Sequence, residues 1–409
     1  MKICIAQLQP NKGHIKQNIE KHIRIIRRAI QKKAKIIVFP ELSLTGYEPT
    51  LARETAVEID DSRFKIFQEI ANSHDLIIAV GMPLKCKEGI TISLLFFSPN
   101  TKRFSYAKQI LHMDELPYFV AGNQKNSFSI ENQKIAFGIC YESLQTSHVE
   151  QSVQNECTLY IASVAKSEDG MKKAMTHFHE MASRFKIPIF LSNAVGPSDN
   201  FICAGQSSAW NRDGVLLQQL DQTNEGFIIY DSEKQTTIKD QLHFKIGVIE
   251  EFSSLFKGYM EAKDFLERTG IFQWTDKYPN ESIIEDDLVK NHVHLLKWEN
   301  EIYGAINLSE EQEEAYQTVD WQFNDSKILV IHRLVVRPCY QNQGYATCMM
   351  AYAEDFARKN KYSSIRLDAY SANAAVINFY LKRGYAIRGQ VYFPGREFPF
   401  HCFEKKVTS

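Results

Sequence analysis

The sequence predicts an α/β protein of two consecutive domains, and three observations carry that prediction. At 409 residues the chain exceeds the usual domain of about 100–200 residues and has to enclose more than one core. Up to residue 231, short β-rich runs alternate with amphipathic helices, the rhythm of buried strands covered by helices. That rhythm stops at the polar, aperiodic run Ser232-Glu233-Lys234-Gln235-Thr236-Thr237 and then resumes, as it does across a boundary between domains.

Each element has its own signal. Ile19, Ile23, Ile26 and Ile30 recur at helical spacing, and Lys35–Phe39 follows as a buried strand. Phe64, Phe67 and Ile70 mark a second helix, while Leu76–Val80, Ile92–Phe97, Ile135–Cys140, Leu159–Ser163 and Ile189–Asn193 read as further strands. Lys21, Arg24, Arg27, Arg28, Lys32 and Lys33 around the first helix read as its solvated face. The expected organisation is a first domain over 1–231, a linker over 232–242 and a second domain over 243–409. Within the second, Phe244–Ile249, Lys327–Val336 and Ser364–Ala369 read as strands. A helix is expected from about Ala346 to Lys359, with Met349, Tyr352, Ala353 and Phe356 on one face.

Composition narrows the function. Lys and Arg number 48 against 49 Asp and Glu, so no positive field draws the chain to nucleic acid or to an anionic membrane. No apolar run approaches the roughly 18 residues of a membrane span, and the first residues lack the apolar core of an export signal. Eight scattered cysteines form no C-x-x-C pair, which predicts reduced thiols, no zinc site and a cytoplasmic protein. The N-x-S matches at Asn280, Asn307 and Asn324 are accordingly expected to stay unmodified. His177 and His179, two apart on a helix, do not share a face and are expected to be packed or solvated.

Three segments carry chemistry at strand ends. Phe39-Pro40-Glu41 puts a carboxylate after a buried strand, Tyr106-Ala107-Lys108 an ammonium after another, and Gly138-Ile139-Cys140-Tyr141-Glu142 a thiol after a third. A thiol, a base and a cation suffice for acyl transfer. By spacing alone the same residues also read as a small buried hydrophobe and two solvated charges.

Over residues 1–231 these segments resemble the nitrilase superfamily of carbon–nitrogen hydrolases. Phe39 to Tyr47 is similar to the segment around that family's catalytic Glu, Tyr106-Ala107-Lys108 to its Lys segment, and Gly138 to Glu142 to its nucleophile segment. Ser192 to Gly196 and Gly205 to Trp210 resemble its later strands. Two departures stand out: Ala107 where a basic residue often precedes the Lys, and Glu142 where many members carry Asp. The resemblance implies an α-β-β-α sandwich, with Cys140 as nucleophile, Glu41 as general base and Lys108 as stabiliser of the oxyanion. It also implies the Tyr141 N–H as a second oxyanion donor, Glu115 as a second, orienting carboxylate, and a homodimer. Two carboxylates beside the thiol oppose its ionisation, so a protonated resting thiol is expected.

The second domain has a constellation of its own. Val336 leads through Gln341-Asn342-Gln343-Gly344-Tyr345-Ala346 into a helix, a turn that can offer backbone N–H groups and a helix dipole to an anion. Over residues 243–407 it resembles the acyl-CoA turn of the GNAT N-acetyltransferases, with Asn342 where many members carry Gly. Asn373 and the run Tyr380 to Tyr385 resemble that family's second cofactor segment. What this implies is a smaller mixed α/β domain using acetyl-CoA as co-substrate. Val336, Gln341, Asn342, Gln343, Gly344, Tyr345, Ala346 and Asn373 would line its site, with Tyr380 as general acid. The acceptor's base is not legible in the sequence, and Glu250, Glu251, Trp274 and His332 are the expected neighbours of the amine. The expectation is a bifunctional enzyme, without a metal, that splits a small amide and acetylates an amine of a small molecule or protein. The alternative is a sensor of acyl-CoA or a small amide in which one domain has lost turnover.

Overall fold

The computed structural model describes residues 1–324 and 327–407, so Asp325 and Ser326 of the third N-x-S match lie outside the described residues, as do the last two of the second domain. The chain divides into two units, Met1–Gln241 and Leu242–Ser409.

The first unit is built on two large sheets, with Val195–Ser198 and Phe201–Ala204 paired as a separate two-stranded one. One has seven strands in the order Thr236–Gln241, Gly226–Asp231, Lys2–Gln7, Ile36–Val38, Ile77–Cys86, Gly89–Phe97 and Phe104–Ala107. The other has six, in the order Leu216–Gln219, Ser208–Trp210, Ile189–Asn193, Leu159–Val164, Gln133–Ile139 and Ser127–Ile130. Strand periodicity explains why they face each other. Ile135, Phe137, Ile139, Leu159 and Ile161 point into a shared core with Ile3, Ile36, Val38, Ile92 and Phe96 of the other sheet. Their neighbours Ala136, Tyr160 and Ala162 point the opposite way, onto Met171, Phe178 and Ala182 of the helix Glu168–Phe185. On the far side, Phe67 of the helix Lys65–His74 packs on Phe97, and His22 of the helix Ile15–Gln31 on Phe39. The result is the α-β-β-α sandwich.

Two expectations are corrected here. Residues 232–242 are not a linker throughout: Thr236–Gln241 is an antiparallel edge strand on Gly226–Asp231. It reads as polar because an edge strand buries few of its side chains. Lys21 is not solvated. It is 1% exposed, and its Nζ donates to the Gln9 carbonyl at 2.6 Å.

The second unit carries one seven-stranded sheet in the order His243–Ile246, Val293–Trp298, Glu301–Ser309, Ile328–Val336, Ser364–Tyr370, Phe400–Lys406 and Ala386–Val391. Ile328–Val336 and Ser364–Tyr370 pair in parallel only from Ile328↔Ser364 to Ile331↔Leu367. Beyond that the two strands part, with Arg333 in a left-handed conformation, φ 47°. The gap opens beside Asp368, the next residue after the last pair.

Candidate functional site

In the first unit the parallel strands end at one edge, and their carboxyl ends deliver the chemistry. After Ile36–Val38, Pro40 stops the ladder and Glu41 enters a tight turn in which Leu42 has φ 48°. Gly81 makes that turn feasible, since a Cβ there would lie 2.3 Å from the Pro40 carbonyl oxygen. After Phe104–Ala107 comes Lys108, whose Nζ donates to Glu41 Oε1 at 2.9 Å and to Glu115 Oε1 at 2.5 Å. Glu115 is held in turn by the Tyr47 hydroxyl at 3.0 Å and the His112 N–H at 2.7 Å. All three charged residues are essentially inaccessible to solvent, at 0–1% exposure.

Cys140 follows Gln133–Ile139 at φ 47°, a strained conformation for a non-glycine residue that turns its side chain out of the strand path. The next turn is pinned by Glu142. Its Oε1 accepts from the Tyr106 hydroxyl at 2.6 Å and the Ile139 N–H at 2.8 Å, and its Oε2 from the N–H groups of Gln109 and Ile110 at 2.6 and 3.2 Å. One buried carboxylate therefore ties the nucleophile segment to the residues just after Lys108. Glu41 Oε2 is buried without a hydrogen-bond partner, and the thiol is near enough to act on that carboxyl.

The electrostatics divide the groups. Burial raises the Glu41 carboxyl to about 7, against the pull of Lys108 and with the help of Glu115. Burial opposes the charge of Lys108, but Glu41, Cys140 and Glu115 together hold its pKa above the ordinary lysine value. The Cys140 thiol is pushed up by burial first and Glu41 second, while Lys166 and Lys108 pull it down. The sequence pointed to the carboxylates as the cause; burial is the larger one.

Lys166 was missed. Its Nζ lies 3.7 Å from Cys140 Sγ, and its signal was the one used for the others, a residue just past an apolar strand, here Leu159–Val164. His177 is half-buried near Lys166 with Nε2 unpartnered, and His179 Nδ1 bonds the Gly214 carbonyl oxygen at 2.8 Å.

In the second unit Val336 closes its strand and accepts from Gln341 Nε2 at 3.0 Å. Asn342 and Gly344 both adopt left-handed backbone, φ 59° and 88°, at the head of the helix Tyr345–Lys359. Asn is the side-chain-bearing residue that best tolerates this region, so replacing Gly by Asn leaves the turn's conformation accessible. A Cβ on Gly344 would meet nothing within 4 Å. This open, two-residue left-handed turn at a helix N-terminus fits a phosphate group. The Tyr345 ring is buried against Tyr303 and Tyr340, which leaves its backbone at the turn. Asn373 Oδ1 caps the helix Ala374–Lys382 at the Val376 N–H, and its Nδ2 donates to Gln273 Oε1 at 3.1 Å. Tyr380 packs between the rings of Tyr385 and Phe403.

Of the four residues expected beside the acceptor amine, Glu251 is paired with Lys297, His332 Nε2 bonds the Glu311 carbonyl oxygen at 2.9 Å, Trp274 packs edge-on to Tyr259 and Glu250 is exposed. Asp368 was not singled out. It stands where the two central strands part, accepts from the Tyr316 hydroxyl at 2.6 Å, lies within electrostatic reach of Tyr380, and is raised to about 6 by burial.

Residues 2–239 match the carbon-nitrogen hydrolase family. The chain belongs to that family. Its C-terminal part is a GNAT acetyltransferase domain, matched over residues 256–385, so the hydrolase is fused to an acetyltransferase as the two resemblances implied. It is similar to the glutamine-dependent NAD(+) synthetase of Acinetobacter baylyi, 26% identical over 282 residues, 66% of this chain and 51% of that protein. The hydrolase chain thus spans about half the length of that relative. It is also similar to the uncharacterized N-acetyltransferase YesJ of Bacillus subtilis, 25% identical over 175 residues, 42% of this chain and 94% of that protein. Among solved structures, the NitN amidase from Nesterenkonia sp. AN1 shares the fold, with a TM-score of 0.52 and 20% identity over 56% of this chain and 92% of the amidase. No helix among the described residues is long and apolar enough to cross a membrane.

Proposed function

We propose that the first domain hydrolyses a small amide through a thioester on Cys140, and that the second acetylates an amine. The observation that carries the first half is the convergence of the buried Glu41 and Lys108 with the partly exposed Cys140 in one cluster. In this reading Glu41 takes the thiol proton as Sγ attacks the amide carbon, and Lys108 balances the oxyanion. The C–N bond then breaks, and the nitrogen leaves as an amine or ammonia with the proton that Glu41 held. Water, deprotonated by Glu41, hydrolyses the thioester and restores the thiol. A carboxyl near 7 suits both directions of this transfer. That the similar proteins are named for glutamine dependence and for amidase activity supports an amide over a nitrile.

For the second half, the turn at Asn342 and Gly344 would hold the pyrophosphate of acetyl-CoA, which supplies an activated acyl thioester when bound. Asp368 would accept the proton of the acceptor amine, and Tyr380 would hold the proton for the departing thiol. The decisive measurement for the first half is intact mass after incubation with an amide library. Wild-type protein should gain an acyl mass mapped to Cys140, and Cys140→Ala should gain none and lose hydrolysis while keeping its melting temperature. Full hydrolysis by Cys140→Ala would end the reading. Titration calorimetry tests the second half, which fails without acetyl-CoA binding at millimolar concentration.

A further inference from the structure

The Glu41, Lys108 and Cys140 scheme leaves one charge of the pocket without a task. Lys166 is 6% exposed, and its ammonium touches Cys140 Sγ at 3.7 Å. Among the described residues no carboxylate stands within ion-pairing distance of it: Glu41 and Glu115 are both engaged by Lys108. A buried ammonium without a counter-charge is costly to keep, yet this one is held firmly. The Lys166 N–H donates to Asn193 Oδ1 at 2.9 Å, and its carbonyl accepts from Asn193 Nδ2 at 3.2 Å and from the Ala204 N–H at 2.9 Å. The fold thus fixes the backbone of this lysine from two sides and aims its head at the sulfur.

Burial and Glu41 hold the thiol's pKa above the ordinary thiol value even with Lys166 beside it, which favours neutral sulfur over a thiolate as the resting partner of this ammonium. His177, whose Nε2 is buried without a hydrogen-bond partner, lies within electrostatic reach of the same ammonium.

We propose that Lys166 is a specificity-determining residue that binds a carboxylate of the substrate, so that the amide cleaved is the monoamide of a short dicarboxylic acid or a compound of the same charge and reach. Geometry sets the reach. With Nζ 3.7 Å from Sγ and a charge-assisted hydrogen bond of about 2.7–2.9 Å, the carboxylate is only a few bonds from the carbon that sulfur attacks. The inference rests on Cys140 being the nucleophile, and its test is chosen to separate the two.

Iodoacetate and iodoacetamide alkylate a thiol in the same way: the S–C bond forms, iodide leaves and the thiol proton passes to Glu41. They differ in carrying a carboxylate or a neutral amide next to the attacked carbon. Labelling rates at Cys140 are read by peptide mass, with the exposed Cys86 as internal reference. In wild type the iodoacetate-to-iodoacetamide ratio at Cys140 should exceed that at Cys86 by about 10–100-fold, the worth of a hydrogen bond to a charged group. Lys166→Met should abolish that excess, and Lys166→Arg should retain part of it. Turnover should follow: the preference for the monoamide of succinic acid over butyramide should fall by the same factor in Lys166→Met. A wild-type ratio no greater at Cys140 than at Cys86 overturns the proposal whether or not either variant folds. Equal slowing of both reagents in Lys166→Met also overturns it and makes Lys166 a partner of the thiolate alone. Cys140 that reacts with neither reagent removes the nucleophile, and the proposal with it.

Discussion

Glu41 has a carboxyl held near 7 mainly by burial, and this fixes how the hydrolase should respond to pH. A base works only when ionised, so kcat/KM for the amide should fall about tenfold per pH unit below 7. A profile flat down to pH 5 would remove Glu41 as the base. The stability term has the opposite sense. Because the folded protein binds this proton more tightly than the unfolded chain does, Glu41 stabilises the fold at low pH, and that contribution is lost as pH rises through about 7. Asp368 behaves alike in the second domain, at about 6. Its Asn variant should lose about 10²–10⁴ in acetyl transfer while still binding acetyl-CoA in a calorimeter. Unchanged acetylation would pass the base's role elsewhere. At this scale the sequence singled out residues where a motif had a name, Glu41, Lys108 and Cys140, and the structure brings these together. Lys166 and Asp368 lay in runs with no such name, Val164-Ala165-Lys166 and Leu367-Asp368-Ala369. Only the strand ends beside them reveal what they face.

Elements set how accurately those residues meet. Glu142, which from sequence was only a departure from an expected Asp, is the clamp between the Cys140 turn and Gln109 and Ile110. Glu142→Gln keeps the shape but replaces an acceptor-only group by one whose NH₂ faces two N–H donors. Losing hydrogen bonds to a buried charged group costs about 1.5–3 kcal/mol each. The variant should melt several degrees lower and lose at least about tenfold in kcat with little change in KM; wild-type kcat would show that the clamp does not position the thiol. The turn at Gly344 gives a contrasting case. Its absent Cβ would meet no protein atom, so Gly344→Ala should fold, at a cost of about 1–2 kcal/mol for φ 88°, yet weaken acetyl-CoA binding more than tenfold. Asn342→Gly should bind as well as wild type. Equal affinity in Gly344→Ala would mean that the phosphates lie elsewhere. The helices were legible because each has one buried face, and the central strands because both of theirs are buried, whereas the splay between Ile328–Val336 and Ser364–Tyr370 leaves no periodic trace.

The whole molecule was divided from sequence by polarity, and polarity misplaced the first domain's edge. Thr236–Gln241 shows why. Its outer side chains face solvent, so it has no apolar alternation, but its backbone completes a sheet and its end is locked in place. Asp240 and Gln241 are 6% and 8% exposed. Gln241 Oε1 accepts from the Asp221 N–H at 3.2 Å, and its Nε2 donates to the Asn224 carbonyl at 3.1 Å. We therefore propose residue 241, and not 231, as the place to separate the two activities. A protein of residues 1–241 should hydrolyse amide at the full-length rate. One of residues 1–231 loses the ladder on Gly226–Asp231 and the two Gln241 bonds, and bares a long edge that invites pairing between chains. Hydrogen bonds net about 1 kcal/mol each, and in a domain of this size each kcal/mol shifts Tm by roughly 2–4 °C. The shorter protein should then melt at least about 5 °C lower and associate on concentration, both visible by calorimetry and light scattering. Identical melting of the two would mean that the polar run is a linker after all, and that the strand is decoration on a sheet already complete.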